Sequence, residues 1–115
     1  MGWVQMDVAP TQEGGAKEYA FEKTIALSSA TSTDSILIPD DVQSISVTAS
    51  ASSTTVTVYS TTDTVATVKA GSAITWLAWN AGAISTATGS VYSPVTAIKA
   101  TQAGAGSSKI MVRAQ

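Results

Sequence analysis

The chain has 115 residues, of which 12% are charged, with a net charge of −2 and neither Cys nor His. That length buries one core of ordinary size without staples. It can form no disulfide or thiolate site, it lacks the commonest general base and metal ligand, and its charge is too small to steer it toward nucleic acid or an anionic membrane.

The first element is Trp3 to Val8, where Val4, Met6 and Val8 alternate with Trp3, Gln5 and Asp7. Alternation of this kind predicts a short strand. Pro10 and Gly14-Gly15 follow as a connector. Residues 1–16 therefore read as an N-terminal arm and flexible connector, and 17–115 as a single domain. The arm strand either pairs locally, which is the default, or reaches a neighbouring subunit. Met1-Gly2-Trp3 lacks the charged and apolar regions of a signal peptide, and Met6 breaks the myristoylation pattern.

Lys17 to Leu27 fits a period of two through Tyr19, Phe21, Ile25 and Leu27, although Phe21 and Ile25 also fit a helical spacing. The β-rich surroundings favour a strand ending near Ser28. Ser29 to Asp34 reads as a turn, Ser35 to Ile38 as a strand, and Pro39-Asp40-Asp41 as a tight turn.

Gln43 to Ser60 then reads as a β-hairpin around a loop at Ser50–Ser53. In that register Ala49 faces Thr54, Val47 faces Val56 and Ile45 faces Val58, all on one apolar face. Ser44, Ser46 and Thr48 oppose Tyr59, Thr57 and Thr55 on a hydroxyl-rich face. A one-residue slip would bury the hydroxyls, so the alternation is strongly specified.

Thr61 to Asp63 turns the chain, Thr64 to Val68 reads as a short strand, and Gly71 opens another turn. Ala73 to Trp79 is apolar on both faces, which suits a central or interface strand. Asn80-Ala81-Gly82 ends it. Ala83 to Thr88 is a weak strand closed by Gly89, and Pro94 after Val91-Tyr92 marks an edge or a break. Val95–Thr101 and Lys109–Ala114 repeat the hairpin arithmetic, with Ala100 facing Ile110 and Ile98 facing Val112 across a loop at Ala103–Ser107.

Roughly nine or ten short strands with turn signals between them predict an all-β chain, an antiparallel β-sandwich of jelly-roll or Ig-like type. Ile45, Val47, Val56, Val58, Ile98, Ile110 and Val112 are the expected core. Ala73 to Ile84 is too short and too broken to span a bilayer.

Chemistry-bearing patterns are sparse. Asp40-Asp41 reads as a turn cap, and a glycosidase would need a facing carboxylate. Ser and Thr nucleophiles have no His to activate them, and no spacing singles out a Ser–Lys pair. The run Gly104-Ala105-Gly106-Ser107-Ser108 lies between strands and lacks the Lys of a phosphate loop. No catalytic, metal or cofactor residue is assigned. Trp76 shares a face with Ile74 and reads as core. Trp79, beside Leu77 on the opposite face, is the better surface candidate, with core or subunit interface favoured ahead of a sugar platform. Seven of the eight acids lie at or before Asp41, whereas Lys69, Lys99, Lys109 and Arg113 follow it. Such polarity either orients subunits head to tail or is a chance excess of solvated charge.

The stretch from Ser35, SILIPDDVQSISVTASASSTTVTVYS, together with VTAIKATQAG and KIMVRAQ near the C-terminus, resembles small structural proteins of tailed bacteriophage virions. The family is the capsid decoration or cement proteins and related head-fibre and tail accessory proteins. The likeness covers most of residues 24–115. It implies a β-sandwich that assembles, often as a trimer, on the outer capsid surface after synthesis in the host bacterial cytoplasm. The implied partners are the major capsid protein or another virion protein and further copies of the chain, with no cofactor, no nucleic acid and no membrane. Trp3, Val4, Met6, Val8, Trp79 and Tyr92 are the candidate interface residues, and no catalysis is expected. The alternative is a carbohydrate- or receptor-binding β-module of a fibre or tail, in which Trp79 would lie exposed in a polar groove.

Overall fold

A computed structural model of the chain describes residues 2–10, 19–92 and 94–115. It contains ten strands and one short helix: β1 (Trp3–Gln5), β2 (Asp7–Pro10), β3 (Tyr19–Leu27), β4 (Ser35–Leu37), β5 (Ile45–Ser52), β6 (Val56–Thr61), α1 (Val65–Ala70), β7 (Leu77–Ala78), β8 (Thr88–Tyr92), β9 (Ala97–Gln102) and β10 (Ser107–Ala114). They form two five-stranded sheets. Sheet 1 has the order β1-β4-β9-β6-β7, and sheet 2 the order β2-β3-β10-β5-β8. Every described pairing is antiparallel except β1 with β4.

The two orders share a logic. The chain-linked pairs β1/β2, β3/β4, β5/β6, β7/β8 and β9/β10 each have one strand in either sheet, at matching positions. The molecule is thus five arches standing side by side. The eight strands after β1 and β2, β3-β10-β5-β8 over β4-β9-β6-β7, have the strand order of a jelly roll. The sandwich expected from the strand pattern is present, in the first of its two forms.

All seven expected core residues are buried. Ile45, Val58 and Ile98 are fully enclosed, and Val47, Val56, Ile110 and Val112 are nearly so. Burying a side chain of this size contributes about 1.5–3 kcal/mol. The pairing, however, differs from the expected hairpins. β5 pairs with β10 and β8, and β6 pairs with β9 and β7. Val47 lies beside Val112 in its own sheet and meets Val56 and Val58 only across the core. β9 and β10 are likewise in different sheets, so Ile98 and Val112 approach through the core rather than along a ladder. Two strands with facing apolar sides satisfy the same arithmetic whether they pair edge to edge or stack face to face.

The arch corners show how the second geometry is held. Ser53 turns β5 toward β6 with φ +63°, and Gly106 turns β9 toward β10 with φ +133°. The two corners bond to each other: Ala103 N–H donates to the Thr55 carbonyl at 2.9 Å, and Gly104 N–H donates to Thr54 Oγ1 at 3.1 Å. Gln102, 1% exposed, donates through Nε2 to the carbonyls of Gly104 and Gly106 and accepts from Ser108 Oγ. That satisfies a buried carboxamide at both ends, as burial demands.

Residues 3–10 are part of the sandwich rather than an appended arm. β1 joins sheet 1 beside β4, β2 joins sheet 2 beside β3, and Met6 between them is buried in the core. One extended segment therefore changes sheet at Met6 and closes one side of the sandwich. Of the two pairings weighed for this strand, the local one is observed for residues 3–10; the Gly14-Gly15 connector lies outside the described residues.

Three segments depart from expectation. Thr64–Val68 is not a strand: Thr64 caps α1 by accepting the Thr67 N–H, and Gly71 ends it in the left-handed region at φ +77°. A six-residue helix is marginal alone. It is held because Val68 is fully buried against Leu37 and Ala97 on the outer face of sheet 1, with Trp3, Ile74 and Trp76 around it. Ala73–Trp79 supplies only the two-residue edge strand β7, not a central strand. Residues 83–87 give one bridge, Ile84 with Val56, while Thr88 begins β8 and Gly89 lies inside it instead of ending a strand. β8 is an edge of sheet 2, in keeping with the break that Pro94 signals.

Sequence polarity is not carried into separated ends at β3 and β10, which lie side by side. There Glu22 meets Arg113 at 3.4 Å, and nearby Asp7 meets Lys23 at 3.5 Å. Such surface pairs contribute at most about 1 kcal/mol.

Candidate functional site: the open end of the sandwich

The two sides of the sandwich are unlike. The β1/β2 side is closed by the continuous segment through Met6. The β7/β8 side is open, because β7 is two residues long and the chain leaves the sheet directly after it. Trp79 N–H donates to the Val58 carbonyl at 2.7 Å, and Gly82 N–H turns back onto the Trp79 carbonyl at 2.8 Å. Gly82 takes φ +64°, which the Asn80-Ala81-Gly82 turn requires. The chain then rejoins β6 at Ile84. The loop at residues 80–83 thus blunts this edge as a bulge does.

A groove of about 720 Å³ opens here, lined from both sheet edges by Ser60, Thr61, Thr62, Asp63, Thr75, Leu77, Ala78, Trp79, Asn80, Ser90 and Val95. Asp63 is fixed in place: its Oδ2 accepts the Thr75 backbone N–H, and its own N–H donates to Thr61 Oγ1 at 3.1 Å. The groove has an apolar floor, a hydroxyl-rich rim and one carboxylate.

The six candidate interface residues do not form one surface. Trp79 is not the surface aromatic: it is 6% exposed and packs into the main core. Its neighbour in phase, Leu77, is the exposed one at 73%. Trp79 still donates its N–H to the Val58 carbonyl, and the Asn80-Ala81-Gly82 turn follows it, so its indole packs into the core while Leu77, two residues earlier, lies outside it. Met6 is buried in the core and Val4 is half-buried against it. Trp3 is half-buried in the smaller core, with the Lys69 ammonium 4.5 Å from its ring centroid. Val8 is exposed at 66%. Tyr92 ends β8 opposite Ile45; its side chain lies outside the described residues.

Leu77 and a second feature were not anticipated from the sequence. Lys99 lies on the outer face of sheet 1, its ammonium 4.7 Å from the Trp76 ring centroid and 5.4 Å from that of Tyr59. Trp76 is half-buried in the small core, near its expected role. Asn80-Ala81-Gly82 directly after the apolar run was the one signal that β7 would be short.

Asp40 and Asp41 lie exposed in the turn after β4. The Gly104–Ser108 run is an arch corner, and Gly106 in it serves backbone geometry. Among the described residues, no group of three His, Cys, Asp or Glu is placed to hold a metal ion. No helix among them is long and apolar enough to cross a membrane. No protein-family model matches the chain, and no curated protein matches it.

Proposed function

We propose that the protein is a non-enzymatic structural protein of a tailed-bacteriophage virion, which decorates the outer capsid and stabilises it through protein–protein contacts, as a homo-oligomer and most simply a trimer. The observation that carries this reading is the pair of exposed apolar side chains at opposite sides of the sandwich, Val8 on β2 and Leu77 on β7. An exposed aliphatic side chain that a partner covers contributes about 1.5–3 kcal/mol of apolar transfer to the contact. The rest of the surface is compatible with close packing. The outward positions of β5, Ser46, Thr48, Ser50 and Ser52, carry small hydroxyls that lose little side-chain entropy on burial. Binding only the assembled shell would stabilise it by mass action.

The test is attachment. Purified protein is mixed with capsids of the phage whose genome encodes it, pelleted through a cushion, and the bound fraction quantified. Saturable binding that raises the capsid melting temperature is the expected result. Replacing Leu77 and Val8 together with Ser should abolish it while the free protein keeps its melting temperature. Undiminished attachment of that variant, or no attachment of the wild type, overturns the reading.

A further inference from the structure

We propose that the groove at the open end of the sandwich binds a neutral oligosaccharide, with Asp63, Asn80, Ser60 and Ser90 as the polar contacts and Leu77 and Val95 as the apolar ones. The site shares Leu77 with the capsid reading but does not rest on it, and attachment and sugar binding are measured independently.

The argument starts from what the lining offers. Its volume, about 720 Å³, lies within the range of small-molecule sites. None of the described lining residues is Lys or Arg, so a phosphate or carboxylate would enter without a counter-charge. Hydroxyls line most of the rim, joined by one carboxylate and one carboxamide. That set both donates and accepts, as a ligand with many hydroxyl groups and no charge requires.

The carboxylate is prepared for the task. Asp63 Oδ2 is held by the Thr75 N–H and its backbone by Thr61 Oγ1, whereas no hydrogen bond among the described residues engages Oδ1. A fixed carboxylate oxygen accepts from a sugar hydroxyl through a charge-assisted bond, roughly twice as strong as a neutral one. The Asn80 carboxamide and the Ser60 and Ser90 hydroxyls likewise make no hydrogen bond recorded among the described residues. Leu77, 73% exposed, and half-buried Val95 give aliphatic surface for the C–H face of a ring. The Trp79 indole closes the floor from beneath and is not itself an open stacking platform.

The experiment uses the full chain on an array of neutral, sialylated and sulfated glycans, followed by NMR titration with the strongest neutral binder. Neutral glycans are expected to bind above background, with chemical-shift changes confined to the groove. D63N keeps an oxygen for the Thr75 N–H but removes the charge, and N80A alters an exposed turn residue. Each should weaken binding at least tenfold at an unchanged melting temperature. K109A, on the outer face of sheet 2, should leave it unchanged. The proposal is overturned if no neutral glycan binds, if sialylated or sulfated glycans are preferred, or if D63N and N80A bind like the wild type.

Discussion

Replacing Gly106 with Ala should destabilise the protein more than any other conservative change at an arch corner. An alanine Cβ at this position would lie 2.7 Å from the Ser52 carbonyl oxygen, 2.9 Å from that of Ser53 and 3.0 Å from the Ser53 carbonyl carbon. All three are backbone atoms of the adjacent corner, so no side chain can swing aside. Neither corner is free to retreat. Ser52 is paired with Ser107, and the Gly106 carbonyl accepts from buried Gln102 at 3.0 Å. The backbone itself, at φ +133°, is unfavourable for any residue with a Cβ. Forcing such a conformation costs about 1–3 kcal/mol, and an overpacked contact about 1–3 kcal/mol more. The expected loss is about 4 kcal/mol, which at roughly 4 °C per kcal/mol for a domain of this size lowers Tm by roughly 15 °C. Guanidinium and thermal melts followed by circular dichroism measure it. Gly104→Ala is the internal control, since the nearest atom to its Cβ is Thr54 Oγ1 at 3.8 Å. A Gly106→Ala protein within 1 kcal/mol of wild type, or an equal loss from Gly104→Ala, refutes the stacked-corner geometry.

Val47→Asp places an unpaired carboxylate at a site 1% exposed and should abolish folding; a soluble variant with unchanged Tm would contradict the core. Trp79→Ala empties a core position and should cost about 3–5 kcal/mol of stability before any contact with a partner is tested, so an unchanged denaturation midpoint would return Trp79 to the surface. Deleting residues 2–10 removes an edge strand from each sheet and uncovers the core at Met6. The truncated chain should melt lower and bind a hydrophobic dye, whereas an unchanged melt would make the segment dispensable to the fold.

The period of two along Ile45–Ala49, Val56–Val58 and Ile110–Val112 made the buried faces legible, because burial depends on alternation alone. Pairing was not legible from the same residues. An apolar face opposed by an apolar face reads identically along a ladder and across a core, and the corner angles at Ser53 and Gly106 leave no distinctive trace in composition. The helix did leave one: Thr64 and Gly71 are the N-cap and C-cap residues that helices favour, yet Val65 and Val68 pulled the reading toward a strand. At the open end, AITWLAW is apolar in both phases. Which of Leu77 and Trp79 is covered depends on how the chain packs where it turns after Trp79, a tertiary event. Asp63 reads in the sequence only as an acid in a turn with no facing carboxylate, and the fold alone brings Thr75, Asn80 and Ser90 around it.

The arch order has a consequence for biosynthesis. β9 is the third of five strands in sheet 1, and β10 is the third of five in sheet 2. Both are thus made after the strands they pair with, yet sit in the middle. Until β9 and β10 leave the ribosome, nothing joins β4 to β6 or β3 to β5. Gln115 is tied in as well, exchanging backbone hydrogen bonds with Ser44. A nascent chain that lacks β9 and β10 therefore holds four two-stranded pieces, β1/β4, β6/β7, β2/β3 and β5/β8, with open edges exposed. Closure is dominated by contacts distant in sequence, which makes it slow for the size of the domain. Truncation before Ser107, which removes the strand that both halves of sheet 2 require, would leave an aggregation-prone chain.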